Sequence, residues 1–358
     1  LSDRCRTERS QSIARALRLP DAAKAKICLD CHADNVAPSL RGPKFQLSDG
    51  VGCEACHGGA EQWIESHTSQ SSKHEDNLAK GLYPLAQPLA RAERCLSCHL
   101  GTRDRFATHR IMAAGHPRLS FDLESFTERQ PPHFKADADY ERRKGKVLQG
   151  TSWIAGQIQG AHTALQLLRS PWFKNDAGFP EPAFYDCSSC HHTMEQYDWN
   201  RQRLAAGMEP GTLRLQTSHL QMLQVITASI EPDRHGELSR LHADLIRAGA
   251  EQIAVVPSAA SALLQWLERH QQRLLRELSR AEMVRVRKAL VEHGANGHVS
   301  DYATAEQLFV GVEGLSYGLG ESSEKKAALD ALFKSIDTTS QFSPQRFAAA
   351  ARTVRGKF

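Results

Sequence analysis

Eight of the nine cysteines form four pairs with two residues between the partners, and a histidine follows each pair directly. Two thiols three positions apart lie on one short helical turn, where each can form a thioether to one vinyl group of a haem. The next residue can then ligate the iron. The spacing therefore predicts four covalent haems c. The motifs, each ending in its proximal ligand, are Cys28, Cys31 and His32; Cys53, Cys56 and His57; Cys95, Cys98 and His99; and Cys187, Cys190 and His191.

Other uses of paired cysteines fit this pattern poorly. Zinc ribbons and thioredoxin-like sites do not require a histidine after the second cysteine. Histidine is 17 of 358 residues, so four such coincidences have a probability on the order of a few in a million. A disulfide framework would close only very short loops. Cys5 is left over, and we expect a lone thiol in a helix.

A six-coordinate haem needs a second axial ligand, and the first half of the chain has spare histidines. His109 and His116 are seven positions apart, so on a helix they would share a face about 10 Å apart along the axis and reach two different irons. Gly115 and Pro117 should end that helix and leave His116 free to be aimed. His192 follows a proximal histidine and is a natural ligand for a neighbouring haem.

His162 lies beside the apolar stripe of a predicted helix. At this position a hydrogen-bonded core histidine and a distal ligand are equally good interpretations.

Composition limits the class of protein. Apolar residues make up 41% and charged residues 24% of the chain, which excludes a disordered protein. No run approaches the roughly 18–20 apolar residues of a membrane span. One basic cluster at 142–146 is the sole feature that would favour nucleic acid binding, and it is typical of a solvated loop.

No signal peptide is visible. Because haem c is attached outside the cytoplasm, we expect an exported, periplasmic protein whose leader is absent from this sequence.

The pattern predicts a mainly α protein in two parts: a haem-cored domain with few regular elements over 1–204, and a helical bundle over 205–358. A helix is predicted in the first part near Trp153–Leu168, on an apolar stripe. We expect Ser300 to cap a helix over Tyr302–Leu315, and Ser343 with Pro344 to start a last one. Four further helices are predicted at Leu213–Ile230, Leu238–Ile253, Ala259–Leu278 and Arg280–His293.

Three stretches resemble the multihaem cytochromes related to the tetrahaem cytochrome c that accepts electrons from hydroxylamine oxidoreductase. They are Gly50–Gly59 with the following His67, Ala114–Pro117 and Cys190–His192. The resemblance covers roughly residues 25–200. It implies closely paired haems, mostly with two histidine ligands and often one five-coordinate, and it implies His67 as a distal ligand. The family usually has a further haem module upstream, so we expect a missing N-terminal segment.

Three functional hypotheses follow. The first is an electron-transfer protein with redox partner proteins, because the spare histidines outnumber the irons. The second is an oxidoreductase acting on a small nitrogen or sulfur compound at one open haem, and the haem of Cys28, Cys31 and His32 is the candidate because its family counterpart tends to lack a distal ligand. The third is a subunit of a haem-wire assembly. The C-terminal helices are expected to serve dimerisation or partner docking. No acid–base constellation or phosphate loop is recognisable, so no catalytic residue is assigned.

Overall fold

The computed structural model describes residues 4–69, 71–130, 135, 137–144, 151–174, 179–191, 212–336 and 342–358. These residues are mainly helical, which confirms the predicted fold class. Across them the β-structure consists of one isolated antiparallel bridge between Tyr185 and Leu215. Two compact units are present: Leu1–Phe121 with Pro132–Val147, and Asp122–Pro131 with Leu148–Phe358.

The first unit is built from short helices. Its α-helices are α1 (Glu8–Ala16), α2 (Lys26–His32), α3 (Cys53–His57), α4 (His74–Ala79), α5 (Pro88–His99) and α6 (His109–Ala113), with α8 (Ala138–Lys144) further along the chain. Its 3₁₀ turns are Arg4–Arg6, Pro38–Leu40, Leu47–Asp49 and Ser66–Thr68. Three of the four cysteine motifs end α2, α3 and α5, so the expected helical turn is confirmed for them.

Side chains alone give the first unit little core. Among its described residues the large buried apolar side chains are Leu17, Leu29, Trp63, Leu96, Ile111 and Phe121, and the other buried apolar residues are five alanines and Cys5. Cys5, on the 3₁₀ turn before α1, is buried and packs in one cluster with Cys28 of the first motif. A unit this poor in large buried side chains gains little free energy from side-chain burial. The sequence predicts few large buried side chains in a domain in which haems take the place of a side-chain core.

The second unit is a packed helical bundle. Its helices are α7 (Leu123–Arg129), α9 (Thr151–Leu168), α10 (Ser218–Ile230), α11 (Pro232–Glu251), α12 (Val256–Leu274), α13 (Arg280–Ala295), α14 (Tyr302–Gly318), α15 (Ser322–Lys334) and α16 (Pro344–Val354). Its 3₁₀ turns are Pro182–Phe184, Cys187–Ser189, Ile253–Val255 and Arg355–Lys357. Trp153 is fully buried in α9, and its indole Nε1 donates to the Gln307 carbonyl oxygen at 3.2 Å. The Gln157 amide donates to Gln307 Oε1 at 2.7 Å beside it.

The predicted helices of this unit are confirmed, with different ends. α10 begins at Ser218, five residues later than predicted, because the preceding residues pair with the segment before the fourth motif. In that pairing, the Asp186 amide donates to the Arg214 carbonyl oxygen and the Gln216 amide donates to the Phe184 carbonyl oxygen, both at 2.8 Å.

Two predictions of helix ends have opposite outcomes. The cap of α14 is Asp301, whose Oδ1 accepts from the Thr304 amide at 2.9 Å, so the prediction of Ser300 was wrong. A carboxylate one position further along reaches both the amide and the hydroxyl of Thr304. Ser343 caps α16 as predicted, with Pro344 in the first turn. α15 was not predicted.

The division of the chain at residue 204 stays a prediction. The compact units place α9 and the fourth motif with the C-terminal helices. No described helix is long and apolar enough to span a bilayer.

Gly311 permits close packing of α14 against α9. A Cβ at this position would lie 2.4 Å from Cζ2 of the Trp153 indole. Gly311→Ala should therefore destabilise the protein by about 1–3 kcal/mol through overpacking, measured by urea unfolding of the holoprotein. Gly236→Ala on α11 is the matched control, because no heavy atom lies within 4 Å of its Cβ position. That change should be neutral or stabilising by up to about 1 kcal/mol. Equal stability of the two variants would contradict the packing argument.

Candidate haem-binding site

The first motif faces a histidine from a distant part of the chain. The ring centroids of His32 and His116 are 6.2 Å apart with an interplanar angle of 66°. Metal–imidazole bonds are about 2.0–2.1 Å and the ring centroid lies about 1.2 Å beyond the nitrogen, so two imidazoles on opposite sides of one metal have centroids about 6 Å apart. With this separation His32 and His116 are the two residues that would hold one iron between them. Burial lowers the pKa of His32, and the neighbouring His116 lowers it further, so His32 is held in the neutral form that ligates a metal.

His116 is also oriented for ligation. Its Nδ1 lies 2.8 Å from the carbonyl oxygen of Pro117. An Nδ1–H donated to a carbonyl fixes the tautomer and leaves Nε2 with its lone pair, which is the usual arrangement of a metal-bound histidine. α6 ends at Ala113, and Gly115 has φ of 109°, a conformation that favours glycine. His116 thus lies beyond the helix, so the expectation of one helical face shared with His109 was wrong. The predicted effect of Gly115 as a helix end is confirmed.

His67 shows the same pattern of hydrogen bonding. Its Nδ1 contacts the carbonyl oxygen of Ile64, and its exposed ring packs edge-on against Trp63 with centroids 5.7 Å apart. Nε2 is again the nitrogen left for a ligand. The ring of Trp63 restricts the rotamer of His67 and leaves its outer edge in solvent.

The cysteines of the first three motifs lie close together. The Cys31 thiol is hydrogen-bonded to the Cys98 sulfur. This bond lowers the pKa of Cys98, and the charge of Arg105 lowers it further. Cys56 of the second motif lies near Cys95 and Cys98 of the third. The structure therefore gathers three of the four predicted attachment points, as their short spacing in sequence requires.

The proximal histidines of the second and third motifs are half-buried in this cluster. The carbonyl oxygen of His57 accepts from the Tyr83 amide at 2.8 Å. The rings of His99 and Phe121 are tilted against each other with centroids 4.9 Å apart. Burial lowers the pKa of His99, and His32 nearby lowers it further. Both effects favour the neutral imidazole that binds iron.

Buried donors without a protein partner lie beside these motifs. Among the described residues, Trp63 Nε1 and Arg94 Nε have no hydrogen-bond acceptor. The Arg94 guanidinium lies over the Tyr83 ring, 4.0 Å from its centroid, one residue before Cys95. Buried donors need acceptors, and each haem brings two propionates. The donor set, the thiols and the histidines together fit haem c.

A cavity of about 510 Å³ opens beside the second motif. Cys53, Asp34 and Trp63 line it. Asp34 Oδ2 accepts from the Gly52 amide at 3.1 Å, while its Oδ1 is buried with no partner in the described chain. Burial raises the pKa of Asp34. The volume falls in the range of cofactor pockets, and the predicted attachment residue Cys53 is part of its lining.

The fourth motif lies in the second unit. Asp186, directly before Cys187, accepts from the Ser188 amide at 3.1 Å and pairs with Arg214 at 2.8 Å. Cys187, Cys190 and His191 are exposed. The first two lie in or next to a 3₁₀ turn rather than on an α-helix, because Asp186 and its pairing with 214 fix the backbone there.

The remaining distal candidates have different outcomes. His162 is half-buried on α9 in the second unit, and His109 is half-buried at the start of α6 in the first. His192 lies outside the described residues. The structure brings His116 to His32, and it leaves the roles of His109, His162 and His192 as predictions.

Arg105 and the Pro117 carbonyl are functional candidates that the sequence did not suggest. Arg105 contacts two motifs through backbone carbonyls. Every residue has a carbonyl, so such a contact cannot be recognised from the sequence. For Pro117, a signal was present: in Gly-His-Pro, the proline carbonyl follows the histidine directly.

Comparison with known proteins points to one family. Residues 2–58 match the family described as cytochrome c554 and c-prime. Over that stretch the chain is similar to cytochrome c554. The cytochrome c-554 of Nitrosomonas europaea is 32% identical over 88 residues, which are 22% of this chain and 37% of that protein. The chain thus spans little more than a third of the relative's length. No solved structure matches.

These matches support a c-type cytochrome with covalent haem, related to cytochrome c554 over its N-terminal part. The matched stretch contains the first two motifs, from Cys28 to His57.

Proposed function

We propose that this chain is a periplasmic electron carrier with four covalent haems, and that the first haem is six-coordinate. The single observation that carries the proposal is the placement of His116 opposite His32, with centroids 6.2 Å apart. A haem with two histidine ligands exchanges one electron and offers no open site to a substrate. With His116 beside His32, the haem of the first motif, which is the candidate open site, would have a second histidine ligand.

The protein residues contribute attachment, orientation and exclusion of water. Cys31, Cys56 and Cys98 would hold three haems within one cluster, so electrons would pass over short distances. His32, His57, His99 and His191 are the proposed proximal ligands. His116 and His67 are the best supported distal ligands, because the Nδ1 of each is hydrogen-bonded to a backbone carbonyl. His109, His162 and His192 are the proposed candidates for distal ligands of the other irons.

The proposed location follows from the attachment chemistry. Thioether bonds to haem are made outside the cytoplasm, so the periplasm is the proposed compartment. The partners are redox proteins. The C-terminal helices are the proposed surface for self-association or docking.

The spin state of the holoprotein tests this function. We expect electron paramagnetic resonance to show low-spin haems, and the reduced visible spectrum to stay unchanged under carbon monoxide. A high-spin signal from about one haem in four, with carbon monoxide bound in the same proportion, would overturn the electron-carrier proposal and favour an enzyme with an open haem.

Haem counting tests the number four. Mass spectrometry of the intact protein and the pyridine haemochrome assay should both give four haems. Replacing both cysteines of one motif by alanine should remove one haem, because no thioether can then form. Cys5→Ser is the control and should keep all four, since no second cysteine or histidine follows it at haem spacing. A count of three in the wild type, or a lost haem in Cys5→Ser, would refute the assignment.

A further inference from the structure

One arginine joins the first and third motifs. The Arg105 guanidinium donates from Nε to the Ser97 carbonyl oxygen at 2.8 Å and from Nη2 to the Ser97 hydroxyl at 2.7 Å. Its Nη1 donates to the carbonyl oxygen of Asp30. Asp30 and Ser97 are the second intervening residues of their motifs, so Arg105 binds the same position in each.

The two carbonyls are unsatisfied ends of helices. Asp30 and Ser97 lie in the last turns of α2 and α5, where carbonyl oxygens have no partner within the helix and carry the negative end of the helix dipole. A guanidinium is a planar fork of donors that keeps its charge. A single half-buried side chain therefore satisfies both helix ends and fixes them to each other.

A tight turn brings Arg105 back onto the helix that precedes it. Gly101 has φ of 132°, and a Cβ there would lie 2.9 Å from the Arg105 carbonyl oxygen. The Thr102 amide donates to that same oxygen at 2.7 Å. The turn is set by glycine, so the position of Arg105 is built into the backbone and does not depend on its own flexible side chain.

The charge of Arg105 acts on both attachment points. Its Nη1 and Nη2 bond to Asp30 and Ser97, the residues directly before Cys31 and Cys98. A cation so close to two motifs favours the addition of an electron to the groups attached there. Arg105 is half-buried, so solvent screens this charge less than that of an exposed residue.

We propose that Arg105 is a positioning residue that locks the first and third motifs together and raises the reduction potentials of the two haems attached to them. This rests on the proposed function, because it requires haem at both motifs. These two haems would consequently be easier to reduce than they would be without Arg105.

The test compares Arg105→Gln, Arg105→Lys and Arg103→Gln as holoproteins in spectroelectrochemical titrations. Arg103 is an exposed residue two positions away, so Arg103→Gln makes the same charge change without the contacts. For Arg105→Gln we expect two of the four titration components to move to lower potential, each by about a tenfold change in the reduction equilibrium, which is 59 mV for one electron. Arg103→Gln should leave all four components in place.

Arg105→Lys separates charge from geometry. It keeps the charge and loses the fork, so its potentials should stay close to those of the wild type while its thermal unfolding temperature falls, as it should in Arg105→Gln. If Arg105→Gln carries four haems and titrates like the wild type, the proposal is wrong. It is equally wrong if the reduction potentials of Arg105→Gln and Arg103→Gln shift by the same amount. It is also wrong if the potentials of Arg105→Lys shift as far as those of Arg105→Gln. Loss of haem at the first or third motif in Arg105→Gln alone, located by peptide mass spectrometry, supports the positioning role. Absence of haem there in the wild type would instead refute the proposed function.

Discussion

His116→Ala should convert one haem in four from low-spin to high-spin and allow that haem to bind carbon monoxide. The ring centroids of His116 and His32 are 6.2 Å apart, and Nδ1 of His116 is held by the Pro117 carbonyl, so Nε2 is the atom available to an iron. Removing this ring leaves a cavity on the distal side that a small ligand can enter. The expected signature is a new high-spin signal and a carbon monoxide difference spectrum equivalent to one haem.

Two further variants make this result specific. His235→Ala, on α11 in the second unit, should leave every haem low-spin, because His235 is bonded to Ser239 of its own helix. His109→Ala tests the other histidine of the same segment and should leave the haem of His32 unchanged. If every haem of His116→Ala stays low-spin and none binds carbon monoxide, His116 is not a ligand. If His109→Ala opens the haem of the first motif instead, the pairing with His32 is wrong.

The sequence predicted the proximal part of the site because that part is local. Attachment of haem needs two thiols and a histidine within five residues, so composition and spacing contain the whole of that information. The distal part is not local. His32 and His116 are brought together by the fold, and Gly115 follows the end of the helix one residue before His116. A sequence pattern shows that His116 is available, but it does not show which iron it faces.

Backbone interactions limited the prediction in other places. Besides the Ser97 hydroxyl, Arg105 binds two carbonyl oxygens, which every residue has, so residue type says little about its partners. The start of α10 moved to Ser218 because backbone pairing between the segments at 184–186 and 214–216 competes with the helix. The cap of α14 moved from Ser300 to Asp301, where a carboxylate bonds both polar groups of Thr304. Helix periodicity, by contrast, predicted α9 almost to its ends.

Three histidines of the second unit have a lowered pKa and should make this unit sensitive to acid. Burial lowers the pKa of His219, His242 and His293 to about 4 in each case. His242 is the clearest, with only 7% of its surface exposed. Its Nδ1 lies 2.5 Å from the Gln224 amide nitrogen, and its Nε2 has no partner in the described structure. A proton on Nδ1 would replace the acceptor that this amide donor needs.

His242 should therefore cost stability as the pH falls. Its folded pKa of about 4 lies below the unfolded value of about 6.5, so the unfolded chain binds the extra proton between these values. The contribution of neutral His242 to the free energy of unfolding is fully present above pH 6.5. It falls by about 3 kcal/mol between there and pH 4. Urea unfolding at several pH values should show that His242→Gln is less stable than the wild type at pH 7, and that the difference shrinks by that amount at pH 4. His235→Gln, on the same helix but with a solvent-accessible ring, should follow the wild-type curve. A gap between His242→Gln and the wild type that stays constant from pH 7 to pH 4 would rule out His242 as a source of acid sensitivity.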